Sequence, residues 1–145
     1  MTRLLVVVVG SSLIGLSMAG QSLAQAIQIP PCHGVPANEQ VINQLKARNG
    51  RSEVLVQGVV ERLLPTDNVG IRHEKFVINV GSIPIYIAHD ISIAPAIALK
   101  PGDTVTICGE FLPVGPSHAL IHWTHHDPQG THPAGYIVNG NQIVQ

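Results

Sequence analysis

The segment Ile121–His132 reads Ile-His-Trp-Thr-His-His-Asp-Pro-Gln-Gly-Thr-His and holds four histidines and one carboxylate in twelve residues. Neutral imidazole suits zinc, copper and nickel, and a site needs three or four donors converging at about 2.0–2.2 Å from one ion. On a strand, His122 and Thr124 face one side while Trp123 and His125 face the other. One ion therefore takes both His122 and His125 only where the strand ends or bends. Asp127-Pro128 followed by Gly130 signals a turn, which swings His125 or His126 round and brings His132 back. The spacing H-x-x-H-H-x5-H is neither the helical H-E-x-x-H motif nor a zinc-finger pattern, so any site depends on convergence in space.

Two further histidines extend the candidate set. His73 opens one period-two run and His89 closes the next. In an antiparallel hairpin turning near Gly81 they lie at the same end and across from each other. The expected metal ligands are thus His73, His89, His122, His125 and His132, with zinc or copper as the ion. Glu74, Asp90 and Asp127 are placed to orient the rings as carboxylates do for ligating histidines, Glu110 is a further acidic candidate, and Trp123 and Tyr136 are expected to wall the pocket. An open coordination position would activate water for hydrolysis, for example of a phosphodiester. A metal-free alternative uses His122 or His125 with Asp127 or Asp90 as an acid–base pair. The plainer alternative is a scaffold or binding module in which the histidines are ordinary surface or hydrogen-bonded groups, as is expected of His33, His118 and His126. Ser52, Ser82, Ser92 and Ser117 lack a nucleophile-elbow context, and no phosphate-cradling glycine loop is present, which argues against serine catalysis and nucleotide binding.

The elements that must carry these residues follow from the periodicity. After a Pro- and Gly-rich lead-in, Asn38 caps a short helix through Arg48, with Val41, Ile42 and Leu45 on one stripe and Asn49-Gly50 as its stop. From Glu53 the period changes to two: Val54, Val56, Gly58 and Val60 share one face in a strand ended by Pro65, with Gly58 marking a bend. Further strands are expected over His73–Val80, from Ile83 through His89, over Thr104–Phe111 and from about His118 to His125. Ile91–Leu99, carrying Pro95, reads as a short helix or irregular crossover. The expected fold class is all-β: a small five-stranded OB-like Greek-key barrel over 53–145, with a lead-in and short N-terminal helix over 27–52. A small sandwich has the same strand count and stays open as an alternative.

Composition limits the partners and the compartment. The 145 residues carry 8 Lys+Arg against 9 Asp+Glu and only five Phe, Tyr and Trp. That leaves neither the positive patch nor the stacking platform that long nucleic acids require. A small molecule or a metal ion is the expected partner, and no pattern identifies a protein partner. Met1–Arg3 followed by the uncharged Leu4–Met18 run and Ala24-Gln25-Ala26 reads as a leader over 1–26 that is removed on export. A retained anchor is the rival, although a 15-residue run is short of the roughly 20 needed to span a bilayer. Export to the periplasm or beyond makes Cys32–Cys108 the default disulfide, with a free thiol in a loose Pro30-Pro31-Cys32 tail as the other reading.

Several of these motifs together resemble a known family. Arg72-His73-Glu74-Lys75-Phe76, Ile87-Ala88-His89-Asp90, Leu99–Val105 with Gly109-Glu110, and Ile121–Pro128 through His132 and Gly135-Tyr136-Ile137 resemble DUF3465, bacterial exported proteins of unknown function. The likeness runs from about Glu53 to Gln145, and His-Trp-Thr-His is its most specific part. It implies that His73, His89, His122, His125, Asp127 and His132 match the family's polar motifs, and it implies no activity. The chain departs from the family pattern at Asp90, where Asn is usual, at Tyr136, where Trp is usual, and at Cys108, where an aromatic or apolar residue is usual. The last departure puts a family-wide disulfide in doubt.

Overall fold

The computed structural model describes residues 27–67, 69–115 and 117–145; the expected leader over 1–26 lies outside them. Among the described residues no helix is long and apolar enough to cross a membrane. The elements are β1 (Val35–Pro36), α1 (Glu39–Ala47), β2 (Ser52–Leu64), β3 (His73–Val80), β4 (Ile83–Asp90), β5 (Thr104–Val114), β6 (His118–His122), β7 (Tyr136–Asn139) and β8 (Gln142–Val144). Strands β2, β3, β4, β6 and β5 follow one another round a ring that β2–β5 pairing closes. All those pairs are antiparallel except β4–β6. This is the closed five-stranded barrel expected of the alternating segments, and closure gives every ring strand two neighbours.

Alternation decides what fills the barrel. Val54, Val56, Phe76, Ile78, Ile85, Ile87, Ile107, Phe111 and Ile121 point inward and are buried, each contributing about 1.5–3 kcal/mol by leaving water. The strand β2 serves two neighbours, pairing β5 over Ser52–Val59 and β3 from Val59 on. The register breaks between Val60 and Arg62, so Glu61, rather than Gly58, is the bulge residue. Gly58 instead permits close approach, since a Cβ there would stand 2.9 Å from the Asn79 carbonyl.

The helix is not in the crossover. Residues 91–103 run irregularly, because Pro95 and Pro101 interrupt helical bonding and the chain is tied down otherwise: Ile97 N–H donates to Glu74 Oε2. The barrel is closed by α1, capped by Asn38 Oδ1 accepting from Val41 N–H. Its Ile42 and Leu45 join the core, and Glu39 accepts from the Ser82 amide and hydroxyl at the β3–β4 turn. Two pairings went unread in the sequence: the short parallel β1, beside Val54 and Leu55, and the β7–β8 hairpin, which extends β5.

Cys32 and Cys108 are joined by a disulfide across 76 residues of sequence, with Cα atoms 5.9 Å apart. Cys108, Tyr136 and Val138 form a small second apolar cluster with Cys32. A bridge closing so long a loop restricts the unfolded chain and is worth about 2–4 kcal/mol. Replacing both cysteines by alanine is therefore expected to lower the unfolding free energy by about that amount and leave the strand signal in circular dichroism unchanged. Urea titrations of the two proteins check this.

Candidate functional site

The end of the barrel away from α1 carries the polar residues. There β3 starts with His73 and β4 ends with Asp90, and the two are direct cross-strand partners. The hairpin expectation is corrected by one residue. Val80 pairs with Ile83 around the two-residue turn Gly81-Ser82, so His73 faces Asp90 while His89 faces Glu74. A slip of one reverses every side chain, and His73 and His89 therefore lie on opposite faces of the sheet.

The inward pair serves the core end. His89 is fully buried, and both its nitrogens are engaged: Nδ1 lies 2.8 Å from Thr124 Oγ1 and Nε2 lies 3.0 Å from the Pro95 carbonyl. With Nε2–H donating to the carbonyl, Nδ1 accepts from the threonine hydroxyl, and no lone pair is left for an ion. Burial holds the ring below the ordinary histidine pKa. Glu74 binds the Ile97 amide and is kept above the usual carboxylate range by burial, against that hydrogen bond. It does not orient His73.

The outward residues line a cleft of about 470 Å³ whose walls include His73, Asp90, His122, Trp123, His125 and His132. Strand β6 stops at His122, three residues before the expected end, because Trp123 adopts φ 53°. That left-handed turn breaks the alternation: the indole stacks on His122 (centroids 4.7 Å, 15°), and Thr124 turns inward to His89. Two glycines allow the turn. A Cβ on Gly109 would lie 2.4 Å from the His122 carbonyl, and one on Gly135 would lie 2.0 Å from the Trp123 carbonyl.

The loop then returns as its turn residues imply. Asp127 accepts from the amides of Gln129 (2.9 Å), Thr131 and His132 (2.7 Å). Burial pushes its carboxyl up, but these three donors outweigh it and hold it well below the usual range. Asp127 thus shapes the loop; its oxygens are occupied by backbone. The loop sets His132 on the second face of Trp123 (4.3 Å, 7°) and edge-on to His125 (5.3 Å, 83°).

Four cleft rings share one feature: a single nitrogen is held by an oxygen acceptor. His73 Nδ1 lies 3.1 Å from Asp67 Oδ2, and His122 Nε2 lies 2.6 Å from Glu110 Oε2. His125 Nδ1 lies 2.6 Å from its neighbour's carbonyl at His126, and His132 Nδ1 lies 2.8 Å from the Pro133 carbonyl. Each held nitrogen faces an acceptor and carries a proton, and in the neutral tautomer the lone pair then stands on the other nitrogen. The donors are not assembled as the sequence suggested, since among the described residues no three His, Cys, Asp or Glu stand in reach of one ion. Asp90 accepts from the Ser92 amide and hydroxyl through Oδ1. Burial raises its carboxyl, yet Ser92 first, and His125 and His73 after it, bring it below the ordinary value. Tyr136 lies beside the disulfide, outside the cleft.

The model of one protein family matches residues 23–145. The chain belongs to DUF3465. That family is described as a protein of unknown function, and no curated protein or solved structure matches the chain. The match reaches past Glu53 to take in the lead-in with Cys32 and α1, which the motif resemblance had left out. DUF3465 membership brings no activity with it.

Three residues outside the histidine motifs complete this DUF3465 site. On the outer face Glu53 pairs with Glu110, and Glu110 with His122, so three strands contribute one row. Arg51 grips Glu110 with both prongs, Nε–Oε1 3.0 Å and Nη2–Oε2 2.7 Å. Burial raises the Glu110 carboxyl, but Arg51 and His122 prevail and keep it ionised below the usual range. Glu53 has no such partner. Its Oε2 is buried without a hydrogen bond, and burial first, then Glu110, push its pKa up against the opposing field of His132. Alternation alone puts Glu53 and Glu110 on the outer face, but only the strand order makes them neighbours.

Two outcomes follow for these carboxyls. Asp127→Ala is expected to remove the slow amide exchange of residues 129, 131 and 132 while the β2–β5 amides stay protected, as hydrogen-exchange mass spectrometry resolves. A carboxyl raised in the folded state adds stability below its unfolded pKa and loses it as pH rises through the folded one. Glu53→Gln is therefore expected to raise the urea midpoint at pH 8 and leave it unchanged at pH 4.

Proposed function

We propose that this protein is exported and that its cleft binds a small molecule and performs acid–base chemistry on it, hydrolytic in outcome, with His122 taking the proton. The observation that carries the reading is the chain Arg51–Glu110–His122. A carboxylate fixed by a bidentate guanidinium holds the imidazole N–H at 2.6 Å, which sets the tautomer and leaves Nδ1 with a lone pair at the cleft wall. Such a ring is a general base: water gives its proton to Nδ1 as its oxygen attacks the ester carbon or phosphorus, and the proton passes on to the leaving group.

The surroundings support this. Burial lowers the pKa of His122 despite the pull of Glu110, so the ring is neutral and able to accept at physiological pH. Glu53, in the same row, is pushed above the usual carboxylate range by burial and by Glu110, and environments that push two groups apart in this way divide acid from base. The left-handed Trp123 is backbone strain of the kind that gathers at functional sites. The Asp127 or Asp90 partner foreseen for the base is replaced by Glu110, since Asp127 is engaged by backbone amides and Asp90 by Ser92. Export is supported by the leader-like residues 1–26 and by the disulfide, which persists in oxidising compartments.

Chromogenic esters and phosphodiesters, assayed with and without chelator, test the reading. His122→Ala is expected to lose about 10²–10⁴-fold in rate, the usual share of a general base. Glu110→Gln keeps the hydrogen-bond acceptor but removes the charge that raises the His122 pKa, so the acid limb of the rate profile is expected to move to lower pH. Equal turnover by wild type and His122→Ala would exclude the base assigned here.

A further inference from the structure

On the other face of Trp123 the cleft holds a second pair of rings that the acid–base reading does not use. His125 and His132 stand perpendicular at 5.3 Å between centroids, and each has Nδ1–H committed to a backbone carbonyl. Ligating histidines are usually tied in this way, with one nitrogen held by an oxygen acceptor and the other free for the metal. We infer that His125 and His132 form a two-histidine site for a divalent transition-metal ion, copper or zinc, bound through their Nε2 atoms with water completing the shell.

The distance suits the purpose. With a metal–nitrogen bond of about 2.0–2.1 Å the ion lies roughly 3.1 Å from each ring centroid, so rings 5.3 Å apart whose Nε2 atoms turn to one ion would subtend roughly 115° at it, close to the tetrahedral angle that zinc takes. Imidazole donors favour copper and zinc over the harder magnesium and calcium, and copper binds most tightly in the divalent series. His125 is buried and thus restricted before any ion arrives. His132 is positioned by the three amides bound to Asp127 and by the indole beneath it. Both rings therefore lose little freedom on binding. The site does not depend on the His122 proposal and is read without any turnover.

The chain provides its own reporter. Trp123 is the one tryptophan, stacked at 4.3 Å on His132, so copper bound there should quench its fluorescence. Untagged exported protein is titrated with copper(II) chloride, then with zinc in competition. Saturable quenching at one equivalent, moved to higher copper concentration by excess zinc and weakened at least about tenfold in both His125→Gln and His132→Gln, with His118→Gln behaving as wild type, is the expected result. Because His125 is buried and its replacement can disturb folding, His132→Gln, on the exposed loop, is the deciding variant, supported by native mass spectrometry of the zinc adduct. Quenching and zinc uptake that persist unchanged in His132→Gln, or that never saturate in the wild type, would overturn the assignment.

Discussion

A bulky residue held in the left-handed region costs about 1–3 kcal/mol, and Trp123 is held there where the chain leaves β6. Gly109 and Gly135 remove the two Cβ atoms that would collide with the carbonyls of His122 and Trp123. Thr124 then drops inward to His89, while the indole stays outside between two imidazoles. Were Trp123 extended, the strand would continue and His125 would not be turned toward His132. The cleft exists because regular structure stops at one residue.

That stop is tied to the core through polar groups as well as apolar ones. His89 is the joint: at the end of β4 it reaches the crossover through Pro95 and the loop through Thr124. A buried imidazole with both nitrogens engaged is satisfied, whereas losing either partner would leave a buried group unpaired at about 1–3 kcal/mol. Its type invited a role as ligand, and its surroundings make it structural. The outer row works the opposite way. Glu53, Glu110 and His122 stand on three adjacent strands of a rigid sheet, with the Arg51 fork fixing the central carboxylate.

How far the sequence reveals this depends on the range of the interaction. The helix over Glu39–Ala47 and the first four barrel strands are local, written in an Asn cap and in period-two alternation, and they stand close to where those signals put them. The turn at Asp127 is likewise local, because a carboxylate finds amides two to five residues on. The β3–β4 register turns on a single residue in the length of the turn, and counting to Gly81 rather than across Gly81-Ser82 exchanged His89 for Asp90 as the partner of His73. The Glu53–Glu110–His122 row needs the ring order of β2, β5 and β6, which periodicity does not contain. The β7–β8 hairpin hides behind short strands in a segment whose glycines and prolines speak more loudly.

Imidazoles stack on the Trp123 indole from His122 and His132, which leaves it a poor platform for a stacked base. The indole acts instead as a partition. On one side His122 is coupled to a carboxylate and, through it, to a guanidinium; on the other, His125 and His132 are tied by hydrogen bonds to neutral carbonyls. The difference lies in the acceptor that holds each ring. A carboxylate favours the protonated imidazolium that a base must become, and a carbonyl holds a neutral ring in place without charging it. The proposed base and the proposed metal site thus draw on histidines of one short segment and differ in the groups behind the rings.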